Sequence, residues 1–207
     1  MQTKRTRRHL RTRQAILDAA RVIIAEEGPA ALSMRALADR IDYSAAALYE
    51  YFGSKEEIIA AVCAEGQQQL YAAMHAVDPG LPPAEHLHAI GLAYIRFALE
   101  HPDYFLLMFT TAPPPNMTAA PAAALEEALH GEGSAYGLLA QAIQRGIDAG
   151  LYRVRPGFGP EEIVYAAWAV VHGIAMLRTT AMRHSPQDLA AADEEVLRNF
   201  RRGLQAA

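Results

Sequence analysis

The stretch SMRALADRIDYSAAALYEYFGSKE, residues 33–56, decides the predicted fold of this 207-residue chain. Its first part places apolar side chains at positions 34, 37, 38 and 41, the spacing of one helix face. Asp42-Tyr43-Ser44 interrupts that helix, and a second short helix is expected from Ala45 to about Phe52. A serine hydroxyl can cap a helix that follows it, which suits Ser33, Ser44 and Ser54. Two short helices joined by a tight turn predict a helix-turn-helix.

The second helix of this pair has two distinct faces at ~100° per residue. One face holds the residues expected to pack mainly on the preceding helices, namely Leu48, Tyr51 and Phe52. The other holds the residues expected to face outward, namely Ala46, Tyr49 and Glu50. Because the DNA major groove accommodates one helix, the outward face is the predicted DNA-reading face.

Helical patterns also surround this stretch. A first helix is predicted from about Leu10 to Glu27, where Gly28-Pro29 ends it. Downstream, helices are predicted over residues 55–77, 84–100, 104–109, 119–149, 161–182 and 186–205. No convincing alternating strand pattern occurs. The sequence therefore predicts an all-α protein of about nine helices, three of them in an N-terminal helix-turn-helix domain.

Composition excludes several classes of protein. Cys63 is the only cysteine, so an internal disulfide is impossible and a reducing compartment is expected. The basic N-terminus is not followed by the apolar segment of a signal peptide. The longest apolar stretch, Ile163 to Leu177, is shorter than the ~20 residues that span a bilayer. We therefore expect a cytoplasmic protein without a membrane partner.

Charge is distributed unevenly along the chain. Residues 1–62 carry ten Lys/Arg and eight Asp/Glu, whereas residues 63–207 carry nine and fifteen. Six basic residues, from Lys4 to Arg13, precede the first acidic residue, Asp18. Such a run is either a solvated tail or an arm that neutralises DNA phosphates. The helix-turn-helix that follows favours the second interpretation, with residues 1–9 as a flexible basic arm.

Two segments carry a resemblance to a known family. Residues 16–20, Gly28, residues 32–38 and above all residues 43–56 resemble the tetracycline-repressor (TetR) family. Residues 168–177 look like the tryptophan–histidine–glycine signature of its WHG-type C-terminal subgroup. The resemblance implies a helix-turn-helix DNA-binding domain over 10–56 and a ligand-binding and dimerisation domain over 57–207.

The resemblance also implies roles for individual residues at the DNA. The implied DNA-binding residues are Arg35, Ser44, Ala45, Ala46, Ala47, Tyr49, Tyr51 and Lys55. Many relatives have glycine in the turn where this chain has Asp42, which tolerates the left-handed conformation better than most residues. The three alanines can contact thymine methyl groups but cannot hydrogen-bond bases, so direct polar readout is thin. Lys55 is placed at a helix N-terminus, where unbonded N–H groups favour an anion.

The C-terminal part supplies two further sets of predicted residues. The dimer seam implied by the resemblance comprises Ala166, Ala169, Gly173, Leu189, Ala192, Val196 and Phe200. The implied ligand-binding set comprises Tyr94, Phe97, Tyr104, Met108, Tyr136, Trp168 and His172. Core packing is the alternative role for these aromatic residues, and a hydrogen bond in a helix packing face is the alternative for His172. Few charges interrupt these apolar stripes, so a small, mainly apolar effector is expected.

Three classes of function remain to be compared. The leading hypothesis is a repressor that binds a pseudo-palindromic double-stranded DNA operator as a homodimer and is released by a small molecule. A DNA-binding regulator without an effector is one alternative, and a helical-bundle enzyme is the other. No nucleophile elbow, phosphate loop, metal cluster or paired catalytic carboxylates occur in the sequence. We therefore expect no catalytic residues, metal or cofactor.

Overall fold

The computed structural model describes residues 4–111, 131 and 133–205. These form two compact units. Unit 1 takes Met1–Gly66 and Asp103–Ala119, and unit 2 takes Gln67–Pro102 and Ala120–Ala207. The short helix predicted over residues 104–109 thus groups with the helix-turn-helix. The proposed domain division at residue 56 stays a prediction.

Helices dominate the described residues, which confirms the predicted fold class. They form nine α-helices: α1 Lys4–Glu27, α2 Met34–Arg40, α3 Ala45–Leu48, α4 Lys55–His75, α5 Pro83–Glu100, α6 Pro102–Thr110, α7 Ala135–Asp148, α8 Pro160–Thr179 and α9 Ala190–Leu204. A short 3₁₀ turn, Pro29–Ala31, follows α1. Of the helix predicted over 119–149, residues 119–130 and 132 lie outside the described ranges. No helix of the described ranges is long and apolar enough to cross a membrane.

The start of α1 corrects the sequence prediction. The helix begins at Lys4, so residues 4–9, assigned to a flexible arm, are helical. Lysine and arginine are good helix formers, and no proline or glycine separates them from the apolar repeat that follows. The aromatic ring of His9 also stacks on that of Tyr51, which holds this first part of the helix against the segment that follows α3.

The end of α3 is a second correction. The α-helix stops at Leu48, not near Phe52. Beyond it, the N–H of Glu50 donates to Ala47 and that of Tyr51 to Leu48, so the chain tightens into three-residue turns. The N–H of Phe52 still donates to Leu48 at 3.0 Å, and both side chains are fully buried, so the tightened segment keeps them on the same core.

Each unit has its own apolar core. In unit 1 the fully buried side chains include Ile16, Leu37, Leu48, Phe52 and Ile58. In unit 2 the helices α5, α7 and α8 pack together around Ile90, Ile143 and Ile163. Burial of this kind stabilises by ~25 cal/mol per Å² of apolar surface removed from water.

Candidate DNA-binding surface

The turn between α2 and α3 is built as its residue types predict. Asp42 has a φ of 55°, the left-handed region in which asparagine, aspartate and glycine are favoured. The N–H of Tyr43 donates to the carbonyl of Ala38 at 3.0 Å, which closes a Schellman arrangement around Asp42. Aspartate therefore replaces the glycine of many relatives without loss of the turn.

Three serines cap the helices of this region, as predicted. The hydroxyl of Ser33 accepts from the N–H of Ala36 at 3.1 Å, and that of Ser44 accepts from Ala47 at 3.2 Å. Ser54 accepts from the N–H of Glu57 at 3.2 Å. Each cap stabilises its helix by ~1 kcal/mol. Short helices such as α2 and α3 depend on such bonds because they have few internal ones.

The exposed face of α2 and α3 carries most of the predicted DNA-binding residues. Arg35, Ser44 and Ala46 are exposed, and Tyr49 is 56% exposed although it is aromatic. Ala45 and Ala47 are half-buried. An exposed tyrosine on a face bounded by polar side chains suits a partner that offers both apolar and hydrogen-bonding groups.

Tyr51 lies between the two faces. Its ring is half-buried and stacks on the imidazole of His9, with ring centroids 4.7 Å apart and planes 24° apart. Two further residues of α1 support the same region. Thr12 Oγ1 lies 3.3 Å from the hydroxyl of Tyr43, and the Arg13 guanidinium lies 4.6 Å from the centre of the Phe52 ring. These contacts were not predicted from the sequence, although His9, Arg13 and Ile16 repeat at helical spacing.

The N-terminus of α4 differs in one respect from the expectation for Lys55. The Lys55 side chain is exposed at the first residue of the helix, as predicted. However, Ser54 caps the N–H of Glu57, and the carboxylate of Glu57 accepts from the N–H of Gly53 at 2.6 Å. Two backbone donors near this terminus are therefore already bonded, so the predicted anion site rests more on the exposed ammonium group of Lys55 than on free N–H groups.

The basic residues of unit 1 have few acidic partners. Within the described residues, only two of the ten in the first 62 positions form ion pairs, Arg21 with Asp18 and Glu65, and Arg40 with Glu26 at 2.9 Å. The other eight form none within this part of the chain: Lys4, Arg5, Arg7, Arg8, Arg11, Arg13, Arg35 and Lys55. These eight cations are therefore available to an external anion, although the ten basic residues of unit 1 are matched in number by ten acidic ones.

The predicted ligand-binding residues do not all lie in one unit. Tyr104 and Met108 belong to unit 1, and the others belong to unit 2. In unit 2, the hydroxyl of Tyr94 is hydrogen-bonded to Nδ1 of His172 at 2.9 Å. The Trp168 ring contacts those of Tyr136 and His172, at centroid distances of 5.7 and 5.6 Å. Phe97, which is buried, instead contacts the ring of His101.

Burial shifts the titration of this aromatic cluster. It lowers the pKa of His172 and raises that of Tyr94. Both side chains are therefore neutral near pH 7. The hydrogen-bonded packing role considered for His172 is thus present in the structure. The described residues contain no group of three or more His, Cys, Asp or Glu arranged to hold a metal ion.

The predicted dimer residues lie mostly on uncovered helix faces. Ala169 and Gly173 on α8 are exposed, as are Ala192 and Val196 on α9. The remaining three, Ala166, Leu189 and Phe200, are half-buried. Two large apolar residues of α8 that the sequence analysis did not select share the exposed face: Tyr165 is 65% and Leu177 is 54% exposed. Residues 165, 169, 173 and 177 are four positions apart, so their spacing alone would have placed Tyr165 and Leu177 on the same helix face as Ala169 and Gly173.

Together, the capped helices, the left-handed turn and the exposed face of α2 and α3 define a helix-turn-helix DNA-binding regulator with a helical C-terminal part. A family model described as bacterial regulatory proteins, tetR family, matches residues 16–62. A second, described as tetracyclin repressor-like, C-terminal domain, matches residues 87–205 and includes the Trp168 segment. The chain belongs to the tetracycline-repressor family. Its class is therefore a transcriptional regulator and not an enzyme.

Solved structures share this fold. A protein of unknown function from Rhodococcus sp. RHA1 has 24% identity and a TM-score of 0.76, over 94% of this chain and 95% of that one. A putative tetR family transcription regulator from Shewanella sp. PV-4 has 17% identity and a TM-score of 0.68, over 94% and 98%. The ketosteroid transcriptional regulator KstR2 of Mycobacterium tuberculosis has 17% identity and a TM-score of 0.67, over 95% and 96%. No curated protein matches the chain.

Proposed function

We propose that this regulator binds a pseudo-palindromic operator as a homodimer, represses transcription there and is released by a small molecule. The observation that carries the proposal is the exposed face of α2 and α3 in a unit with eight basic side chains that lack a carboxylate partner among the described residues. Phosphate neutralisation releases counterions from DNA, so such residues supply affinity. Specificity then depends on the side chains that reach base edges.

The predicted DNA-binding residues divide into two roles in this proposal. Arg35 and Tyr49 read bases, and the alanines at 45–47 contact thymine methyl groups. Ser44, Tyr51 and Lys55 hold phosphates. Ser44 is suited to both capping and phosphate binding, because its oxygen accepts from Ala47 while its O–H is able to donate. The stack on His9 orients the Tyr51 ring and thereby its hydroxyl.

The exposed stripe on α8 supports the dimer. Tyr165, Ala169, Gly173 and Leu177 follow one another at four-residue spacing, and all are exposed. A side-chain carbon added at Gly173 would have no neighbour within 4 Å, so the backbone there is open to a second helix. A two-fold dimer carries two recognition helices, which is the number that a pseudo-palindromic operator requires.

A network within unit 1 supports transmission of an effector signal. The Tyr104 hydroxyl on α6 donates to Glu65 on α4 at 3.1 Å, and burial raises the pKa of Tyr104, which keeps this donor protonated. The guanidinium of Arg21 on α1 lies 5.6 Å from the centre of the Tyr104 ring. Met108 of α6 packs directly on Gly66 of α4, because a side-chain carbon added at Gly66 would lie only 2.5 Å from the Met108 sulfur. A ligand that displaces α6 would therefore displace α1 and α4 as well.

Selection of binding sites from random duplexes tests the operator proposal with the full-length protein. We expect enriched sites with two inverted half-sites whose centres are about 10–10.5 base pairs, or a multiple of this, apart. Light scattering should show a dimer at micromolar concentration. Enrichment of single half-sites by a monomer would contradict the proposal.

The same operator tests the effector. We expect a fraction of cell extract to weaken operator binding, and operator DNA to lower the affinity for the active compound by the same factor, typically about 5–150-fold. If operator binding is unchanged by every extract and ligand, the alternative of a regulator without an effector is correct.

A further inference from the structure

A second candidate ligand site lies in unit 2, away from the predicted aromatic set. Residues of α4, α5 and α7 line a cavity of about 460 Å³. This volume falls within the ~300–1,000 Å³ of small-molecule sites. None of the seven predicted ligand-binding residues lines it. Its apolar walls include Met74, Val77, Leu138 and Ala142.

One end of this cavity carries a positive charge. The Arg145 side chain is half-buried and donates to Nδ1 of His86 at 3.3 Å and to the carbonyl of Leu81 at 3.4 Å. Both acceptors are neutral, since burial and the charge of Arg145 lower the pKa of His86. Within the described residues, no carboxylate pairs with Arg145. The carboxylate of Asp78, whose charge acts to raise the pKa of His86, accepts a hydrogen bond from the N–H of Gly80 at 2.8 Å.

The hydrogen bonds also determine which nitrogen of His86 carries its proton. A guanidinium can only donate, so Nδ1 of His86 accepts, and the neutral ring carries its hydrogen on Nε2. His86, which is 6% exposed and lines the cavity, therefore keeps one N–H, on Nε2, that its bond to Arg145 does not use. A guanidinium with unused N–H groups and an imidazole N–H are the donors that a carboxylate accepts from.

We propose that this cavity binds a small organic carboxylate, whose acid group is held by Arg145 and His86 and whose apolar body contacts Met74, Val77 and Leu138. A half-buried charge with only neutral partners is costly, and an anionic ligand would supply the missing counter-charge. The site does not depend on the release mechanism proposed above, because it is defined by contacts within unit 2.

Calorimetric titration of the full chain without DNA tests this site. The probes are straight-chain carboxylates from butanoate to dodecanoate, each paired with the alcohol of equal length. We expect at least one acid to bind about 10-fold more tightly than its alcohol, since a charge-assisted bond exceeds a neutral one. Arg145→Gln should remove this preference and leave alcohol binding unchanged. Arg153→Gln, an equal loss of charge at an exposed site of unit 2, should leave it intact.

A second variant keeps the test decisive if Arg145→Gln does not fold. Gln141 is exposed, lines the cavity and lies one helical turn before Arg145. Gln141→Glu should therefore pair with Arg145 and weaken acid binding at least about 5-fold. Gln144→Glu, on the same helix but outside the cavity lining, is the control. Equal affinity for acids and alcohols throughout the series, or an acid preference that survives Gln141→Glu, would overturn the proposal. Operator release is measured separately and does not enter this result.

Discussion

The exposed face of α2 and α3 and the exposed stripe of α8 are both uncovered helix surfaces, but their chemistry is opposite. The first presents Arg35 and Tyr49 in a unit rich in unpaired basic side chains. The second presents Tyr165, Gly173 and Leu177 and no charge at the four-residue spacing between them. Uncovered surface alone therefore does not identify a partner. The unpaired guanidinium of Arg35 and the exposed hydroxyl groups favour DNA for the first face, and an apolar stripe favours a second protein helix for the other.

Replacement of Gly173 by leucine should have the largest effect, which is a loss of dimerisation through the exposed stripe of α8. The added side chain has open space in one protomer, and leucine forms helices better than glycine, so the thermal stability of the fold should be kept or raised. In a two-fold dimer, two such side chains would overpack the interface at ~1–3 kcal/mol each, which weakens dimerisation about 100-fold. Sedimentation across a concentration series measures this, and operator affinity should fall in parallel. Gly173→Ala is the graded control. An unchanged dimer would remove α8 from the interface.

Arg35→Ala and Arg40→Ala form a matched pair within α2. Arg40 is held by Glu26 at 2.9 Å, whereas Arg35 is exposed without an ion pair in the described structure. If Arg35 reads a base, its loss should cost ~1–3 kcal/mol per half-site and relax specificity at one position. Arg40→Ala should change operator affinity less than about 2-fold, because a surface ion pair contributes little. Fluorescence anisotropy with operator and random duplexes compares the two variants. If Arg35→Ala weakens binding to operator and to random DNA equally, Arg35 does not discriminate bases.

Deletion of residues 2–8 should have a smaller effect and separates charge from packing. It removes Lys4, Arg5, Arg7 and Arg8 but keeps the His9 ring on Tyr51. We expect weaker binding to all DNA sequences and a shallower dependence on log salt, with unchanged dimerisation. His9→Ala is the complementary variant and should lower operator affinity without a change in salt slope. Identical salt slopes for the full-length and truncated proteins would leave this part of α1 as a solvated extension.

Lys55→Ala should have the smallest effect. It removes one phosphate contact from each subunit, so the salt slope should fall by about 1 per subunit and all sequences should be affected equally. Binding to operator and to random DNA across a salt series measures this. A larger loss on the operator would show that Lys55 contributes to readout. Tyr49→Phe provides the contrast, since a lost base contact should lower operator binding more than random binding.

Local features of unit 1 could be predicted because the groups involved are close in sequence. Ser33, Ser44 and Ser54 each bond an N–H three residues on, so residue type and position are sufficient. Asp42 adopts a conformation that its own side chain tolerates. The apolar repeat likewise predicted Leu37, Leu48 and Phe52 as core residues.

The missed contacts of α1 concern partners that lie far apart in the chain, whereas the end of α3 is a local feature. The helical start of α1 involves contact between His9 and Tyr51, which are 42 positions apart. The end of α3 at Leu48 is a change to three-residue hydrogen bonds from Glu50 and Tyr51. A window of sequence contains the propensities for both, but not the neighbours that select among them.

The sequence by itself therefore determined the helix-turn-helix, its caps and the all-α class, because these follow from residue type and short-range periodicity. Tertiary structure alone decided which charges are paired and which are not. It neutralises Arg40 with Glu26 while Arg35, five residues away on the same helix, has no ion pair in the described chain. It also gives Arg145 the imidazole of His86, 59 positions distant, as a partner. Such pairings depend on distances in space, and an ionic or hydrogen-bonded contact over a few ångströms has no regular counterpart along the chain.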